Sequence, residues 1–275
     1  MKSLTIGLAL MFCLVVGACK PSRATDGASR PSSETGPATS ATATGAVANG
    51  SSNSLPKIVA FGDSLSAGHG LAPDDAFTAL LQQRLDQAGY HYHVVNAAVS
   101  GDTTADGVRR IDWALEGPSS TNSAKPANPA NPQVDRPDDK VDSDVQIVIL
   151  ELGANDILRG QSLQEMKNNL SSTIDHIKAR KAKVLLAGME APASSGAEYG
   201  REAHQVFVDL AREKQVALIP FVLDRVAGIA ALNQPDGIHP NAEGERIMTD
   251  TVFKYLTPLL SSPGAGPGRA GRHGS

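Results

Sequence analysis

The chain has 275 residues, 41% hydrophobic, 20% charged and 4% aromatic, with a formal net charge of −4, which is room for one mid-sized domain with an apolar core plus further segments. Lys and Arg number 4 against 2 Asp and Glu in residues 1–54, 19 against 27 in 55–260, and 2 against 0 beyond; an acidic body without a basic stripe argues against nucleic acid as a partner. Both cysteines, Cys13 and Cys19, fall within the first twenty residues, so the body has no thiol for a disulfide, a Cys-ligated metal or a Cys nucleophile.

Residues 4–18 are almost continuously apolar after Lys2, the length of a signal-peptide core and short of the roughly 20 residues that span a bilayer. The run ends in Val16-Gly17-Ala18-Cys19, which resembles a bacterial lipobox and implies a lipid on Cys19; an ordinary signal peptide cut nearby is the alternative. Lys20, where an Asp would mark inner-membrane retention, points by the same resemblance to the outer membrane, facing the periplasm. Residues 1–19 are therefore read as signal and lipobox. Residues 20–54, rich in Ala, Ser, Thr, Gly and Pro, cannot bury enough surface to repay ordering and are read as a tether. Such a flexible chain spans roughly 30–35 Å.

From Leu55 to Leu260, short apolar runs alternate with helical periodicity. Lys57–Phe61, Tyr90–Ala97, Val145–Leu150, Val184–Ala187 and Ala217–Pro220 read as strands. Between them, apolar residues recur at helix spacing: Phe77, Leu80, Leu81 and Leu85; Leu163, Met166, Leu170, Ile174 and Ile177; Val206, Phe207 and Leu210; Ile247, Met248, Val252, Tyr255, Leu256 and Leu259. A further helix is expected to start near Ala105. Near-continuous apolar strands alternating with helices predict an α/β fold, a flavodoxin-like three-layer sandwich around a parallel five-stranded sheet. Residues 117–144 carry five prolines and no periodicity and read as an insertion loop. A helix after a parallel strand returns the chain to the strands' N-terminal edge, so a spacer is expected there in preference to a lid. Residues 261–275 read as a disordered tail.

The first strand ends in Phe61-Gly62-Asp63-Ser64-Leu65-Ser66. A serine on a tight turn from strand to helix has its hydroxyl at the sheet's C-terminal edge among backbone N–H groups, which is what a nucleophile and its oxyanion need. The G-x-S-x-G elbow is absent, because Ser66 stands at the second Gly. Asp236-Gly237-Ile238-His239-Pro240 follows the fifth strand; Asp and His three apart can join carboxylate to Nδ1–H while Nε2 faces a serine. Ser100-Gly101-Asp102-Thr103-Thr104 follows the second strand and Gly153-Ala154-Asn155-Asp156 the third. All four segments fall on strand-to-helix connections, which gather at one edge of a parallel sheet.

In these blocks residues 57–260 closely resemble the SGNH, or GDSL, hydrolases. The segments GDSLSAG, SGDTT, ELGANDILRG and DGIHPN are most similar to the bacterial arylesterase and acyl-CoA thioesterase I / lysophospholipase L1 subgroup. The resemblance implies a serine esterase on acyl esters, with thioesters and lysophospholipids as further substrates and no cofactor or metal. Ser64 would be the nucleophile, His239 its base and Asp236 the orienting acid; the N–H groups of Ser64 and Gly101 and the Asn155 amide would bind the oxyanion. A monomer acting on a small substrate, attached to the membrane through lipid, is expected.

Other polar residues have plainer readings. Asp63 organises the turn, a second base being the alternative, and Asp156 braces the Asn155 loop. His91 and His93 are edge polar residues, His176 and His204 face solvent, and Arg109 and Arg110 lie on a solvated helix face, with phosphate contact the alternative. The insertion, the lipobox, the tether and the small, polar segment 191–197, where an acyl groove's wall should run, depart from soluble members of the subgroup. They leave open a deacetylase of cell-envelope glycan on the same residues. A binding lipoprotein with a degenerate site is a third reading, weakened because no expected site residue is missing.

Overall fold

The structure, a computed structural model, describes residues 55–116 and 144–262. The signal, the lipobox with Cys19, the tether, the 117–144 insertion except Asp144, and the tail beyond residue 262 lie outside the described residues.

Five parallel strands form one sheet in the order β2-β1-β3-β4-β5: β1 Lys57–Gly62, β2 His93–Asn96, β3 Val145–Glu151, β4 Lys183–Ala187 and β5 Ala217–Ile219. Every residue of β1 is buried, as is Ile147–Glu151 of β3, so both faces of the sheet are covered. That explains runs of Val, Ile and Leu without polar alternation. The helices are α1 Ser64–Ala67, α2 Phe77–Gln87, α3 Thr104–Glu116, α4 Ala154–Leu158, α5 Leu163–Ala179, α6 Ala197–Lys214 and α7 Ala242–Leu256. Helices α3, α5 and α6 pack side by side, and α2 packs against α7; with the sheet they make the expected three layers. Their buried faces carry most of the predicted periodic residues, Phe77, Leu81 and Leu85 in α2, Met166, Leu170, Ile174 and Ile177 in α5, and Met248, Val252 and Leu256 in α7, whereas Leu80, Leu163, Val206, Ile247, Tyr255 and Leu259 are only partly buried. Each such side chain taken fully out of water contributes about 1.5–3 kcal/mol.

The edge strands are shorter than the apolar runs suggest. Strand β2 spans four residues, not eight, because it pairs only with Lys57–Ala60 of β1. The flanking Tyr92 is buried instead by side-chain packing, its hydroxyl accepting from the Ser261 N–H at 3.0 Å. Strand β5 stops before Pro220, which has no N–H for the ladder. Helix α2 has no capping side chain of its own; the buried Glu245 of α7 accepts from the Phe77 N–H at 3.1 Å and supplies the cap from across the fold.

Asp144, the described end of the insertion, leads into β3 and accepts from the N–H of Lys57, the first residue of β1. Both are at the strands' N-terminal edge. At the opposite edge β1 and β3 run level, Gly62 beside Glu151, which fixes what lies beneath the turn after β1.

Candidate active site

The turn after β1 is built by Asp63. This residue is fully buried and its carboxylate accepts from the Leu65 N–H at 3.2 Å, capping α1, of which Ser64 is the first residue. Gly68, in the left-handed region at φ +70°, ends that helix after one turn. Ser64 is thereby presented at the strands' C-terminal edge.

His239 arrives on the loop between β5 and α7. Its Nε2 lies 2.9 Å from Ser64 Oγ and its Nδ1 2.7 Å from Asp236 Oδ2. Asp236 Oδ1 also accepts the N–H groups of Ile238 and His239 at 3.0 and 3.1 Å, so the carboxylate shapes the turn and orients the ring with separate oxygens. The imidazole hydrogen bond, reinforced by these two N–H groups, holds Asp236 down to about 2. The turn requires Gly237 at φ +76°. Gln234 ties it to the nucleophile side, donating to the carbonyls of His69 and Pro240 at 2.7 and 2.9 Å. The His69 ring lies against His239 with centroids 4.6 Å apart.

Gly101 sits in the β2–α3 loop at φ +87°. Among the described residues the fold provides no acceptor for either the Ser64 or the Gly101 N–H, and both residues line the same cleft. Asn155, in α4, lines it too, but both of its amide hydrogens are engaged: Nδ2 is 3.0 Å from Asp63 Oδ2 and 3.0 Å from the Asp102 carbonyl. Arg159 bridges these parts, donating to the Gly101 carbonyl at 3.0 Å and to Asn155 Oδ1 at 3.3 Å.

The structure thus brings together Ser64, Gly101, Asn155, Asp236 and His239, which are scattered over 175 positions. The minor readings divide. Asp63 organises the turn, and its carboxyl is pushed up to about 6 by burial. Asp156 braces the N-terminus of α3, accepting from the Thr104 N–H and hydroxyl at 2.9 and 2.6 Å. His91 and His93 are exposed, and His176 pairs with Asp112 at the surface. His204 is only partly as expected: its Nδ1 is buried, without a hydrogen-bond partner among the described residues and 3.9 Å from the Glu190 carboxylate. Arg110 is a correction. It is buried, not solvated, and donates to Asp102, to the Ala97 carbonyl and to the Gly62 carbonyl while stacking 4.0 Å over the Phe61 ring. Helical numbering could not separate it from its neighbour Arg109, which is 68% exposed.

Sequence reading also missed most of the cleft. It encloses about 660 Å³ beside Ser64 and His239, and its walls include Ile157, Leu158, Met189, Phe221 and Leu223 together with the small residues Ala191–Ala193. The 191–197 segment contributes only part of the wall, and the bulky apolar residues come from connections after β3, β4 and β5. Among the described residues no group of three or more His, Cys, Asp or Glu is placed to hold a metal ion.

The GDSL-like Lipase/Acylhydrolase family matches residues 60–247. The chain is 36% identical over 203 residues to esterase TesA of Pseudomonas aeruginosa, covering 74% of this chain and 89% of that protein. It is 31% identical over 204 residues to thioesterase 1/protease 1/lysophospholipase L1 of Escherichia coli, covering 74% and 85%. Its structure resembles that of the psychrotrophic esterase EstA from Pseudoalteromonas sp., inhibited by monoethylphosphonate, with a TM-score of 0.61 and 27% identity over 74% of this chain and 97% of that one. The chain therefore belongs to the GDSL-like lipase/acylhydrolase family, and it is a carboxylic ester hydrolase of that family.

Proposed function

We propose that this hydrolase works through an acyl-enzyme on Ser64. The observation that carries the reading is the unbroken relay from Asp236 Oδ2 to His239 Nδ1 at 2.7 Å and from Nε2 to Ser64 Oγ at 2.9 Å. His239 Nε2 takes the Oγ proton as Oγ bonds to the acyl carbon, and the carbonyl electron pair moves onto oxygen. The N–H groups of Ser64 and Gly101, which have no acceptor among the described residues, receive that oxyanion. Asn155 joins them by exchanging its bond to the Asp102 carbonyl for one to the oxyanion. As the oxyanion collapses, the bond to the leaving oxygen breaks and the imidazolium protonates it. Water then repeats the sequence: Nε2 takes its proton, the acid departs, and Ser64 recovers its hydrogen. Asp236, ionised at any pH above about 3 given its depressed pKa, keeps the proton on Nδ1 and balances the imidazolium.

The apolar cleft supports an acyl chain longer than acetyl, and so an acyl ester over an acetylated glycan. The names of the relatives support thioesters and lysophospholipids as further substrates. The composition of residues 1–54 supports export, a lipid on Cys19 and a tether that lets the monomeric body work from the outer membrane.

Hydrolysis of a nitrophenyl butyrate by purified Ser64→Ala tests the mechanism. Loss of at least about 10³ in kcat is expected, together with labelling of the parent, but not the variant, by a fluorophosphonate. A variant as active as the parent refutes the acyl-enzyme. Fractionation of Cys19→Ser tests the anchor: it should move from membrane to soluble fraction.

A further inference from the structure

Beneath the nucleophile turn lies an acid that the reaction as written does not use. Glu151 ends β3 and is 2% exposed. Its Oε2 accepts three hydrogen bonds from that turn: the Asp63 N–H at 3.2 Å, the Ser66 N–H at 3.1 Å and the Ser66 hydroxyl at 2.8 Å. The donors stand on both sides of Ser64 in the chain. A Cβ on Gly62 would lie 2.4 Å from the same oxygen, so the glycine ahead of Asp63 is what admits the carboxyl. Ser66, which occupies the second glycine position of an ordinary elbow, is likewise explained as a donor to it.

We propose that Glu151 is a positioning residue for ester hydrolysis, holding the turn on either side of Ser64 so that the Ser64 N–H faces the oxyanion and Oγ faces His239. The proposal rests on the Ser64 mechanism above. Helix α1 has only four residues and cannot hold its own geometry; the acid ties it to β3, with one longer bond from Asn96 of β2 to the Ser66 carbonyl at 3.5 Å beside it. Oε1 is buried with no hydrogen-bond partner among the described residues, and an ionised oxygen there would be uncompensated by them. Burial and the neighbouring Asp63 charge keep the group well above the usual carboxylate range. The three bonds to Oε2 are what the turn takes from this side chain, and an amide oxygen in the same place could accept them.

Initial rates on a nitrophenyl butyrate and the rate of fluorophosphonate labelling, each measured below the protein's own Tm, test this with Glu151→Ala, Glu151→Gln and Ser66→Ala. In Glu151→Ala kcat is expected to fall about 10- to 100-fold with KM changed less than about threefold, because a misplaced nucleophile affects turnover more than binding. Labelling should slow in parallel. Glu151→Gln, which keeps a carbonyl oxygen and adds no charge, should retain more than about a third of the parent kcat, a rescue that burial alone does not predict. Ser66→Ala should lose about threefold, the effect of one donor of three. A folded Glu151→Ala matching the parent overturns the proposal, as does Gln falling as far as Ala; should Ala not fold, a Ser66→Ala with unchanged kcat overturns it. Ser64→Ala that remained active would overturn the nucleophile assignment itself, whereas inactive Ser64→Ala beside a fully active Glu151→Ala would overturn this proposal alone.

Discussion

Glu245 joins two helices at a cost that depends on pH. The side chain is 1% exposed and accepts from the first N–H of α2, and burial pushes its carboxyl up to about 8 from 4.5. Between those values the unfolded chain releases the proton and the native chain keeps it, so the unfolded state binds fewer protons and stability falls as pH rises. This contribution is intact below about 4.5 and has been lost by about 8. At about 1.4 kcal/mol per pH unit the penalty is on the order of 1 kcal/mol at pH 5 and 3 kcal/mol at pH 7. Glu245→Gln retains an oxygen for the Phe77 N–H and cannot ionise. Relative to the parent it should therefore gain about 2–3 kcal/mol between pH 5 and pH 7, and any packing offset from the amide cancels in that difference. Urea unfolding of both proteins at the two pH values measures it. Asp63 and Glu151 also favour the protonated native state, but equally in both proteins. A parent-to-variant gap that does not change with pH would refute the reasoning.

The cleft predicts that kcat/KM rises with acyl length from acetate to octanoate by up to about fourfold per methylene, the worth of about 0.8 kcal/mol each; a preference for acetate in a nitrophenyl ester series would count against an acyl groove. Asp236→Asn should lower kcat by about 10³ to 10⁴ with the fold intact, because the amide no longer holds the proton on Nδ1; stopped assays across pH 5–9 should find no pH at which it recovers. Arg110→Met should cost about 3–5 kcal/mol in urea unfolding, since it strands the Asp102 carboxylate and the Ala97 carbonyl, while the Gly62 carbonyl keeps the Val99 N–H. Arg109→Met, at an exposed pair, should stay within about 0.5 kcal/mol, and equal losses at the two sites would contradict the burial assigned to Arg110.

Much of the site was legible because the chemistry is written in contiguous blocks. Asp236 and His239 are three apart, close enough for a local turn to join them, and the placement of each block after a strand follows from the rule that parallel strands point one way. The helices were equally legible where one face is apolar at a 3.6-residue period, as in α5. The extent of β2 was not, since it is bounded by the number of partners on β1, whereas the end of β5 follows from Pro220. Arg110 and Glu151 show why the remainder was hidden: burial of a charged or acidic side chain depends on acceptors and donors supplied from positions 8 to 88 residues away, and no local pattern records them.

Sequence alone therefore determined the α/β class, the family and which polar residues meet at the sheet edge, because strand-to-helix order and short motifs are local properties. Tertiary structure decided what surrounds those residues. The wall of the cleft is assembled from Ile157, Met189, Phe221 and Leu223 on separate connections. The nucleophile turn is held by a carboxyl from β3 because parallel register brings Glu151 level with Gly62, and α2 is capped by Glu245 from α7. Each of these joins side chains far apart in the chain, and only packing sets which of them touch.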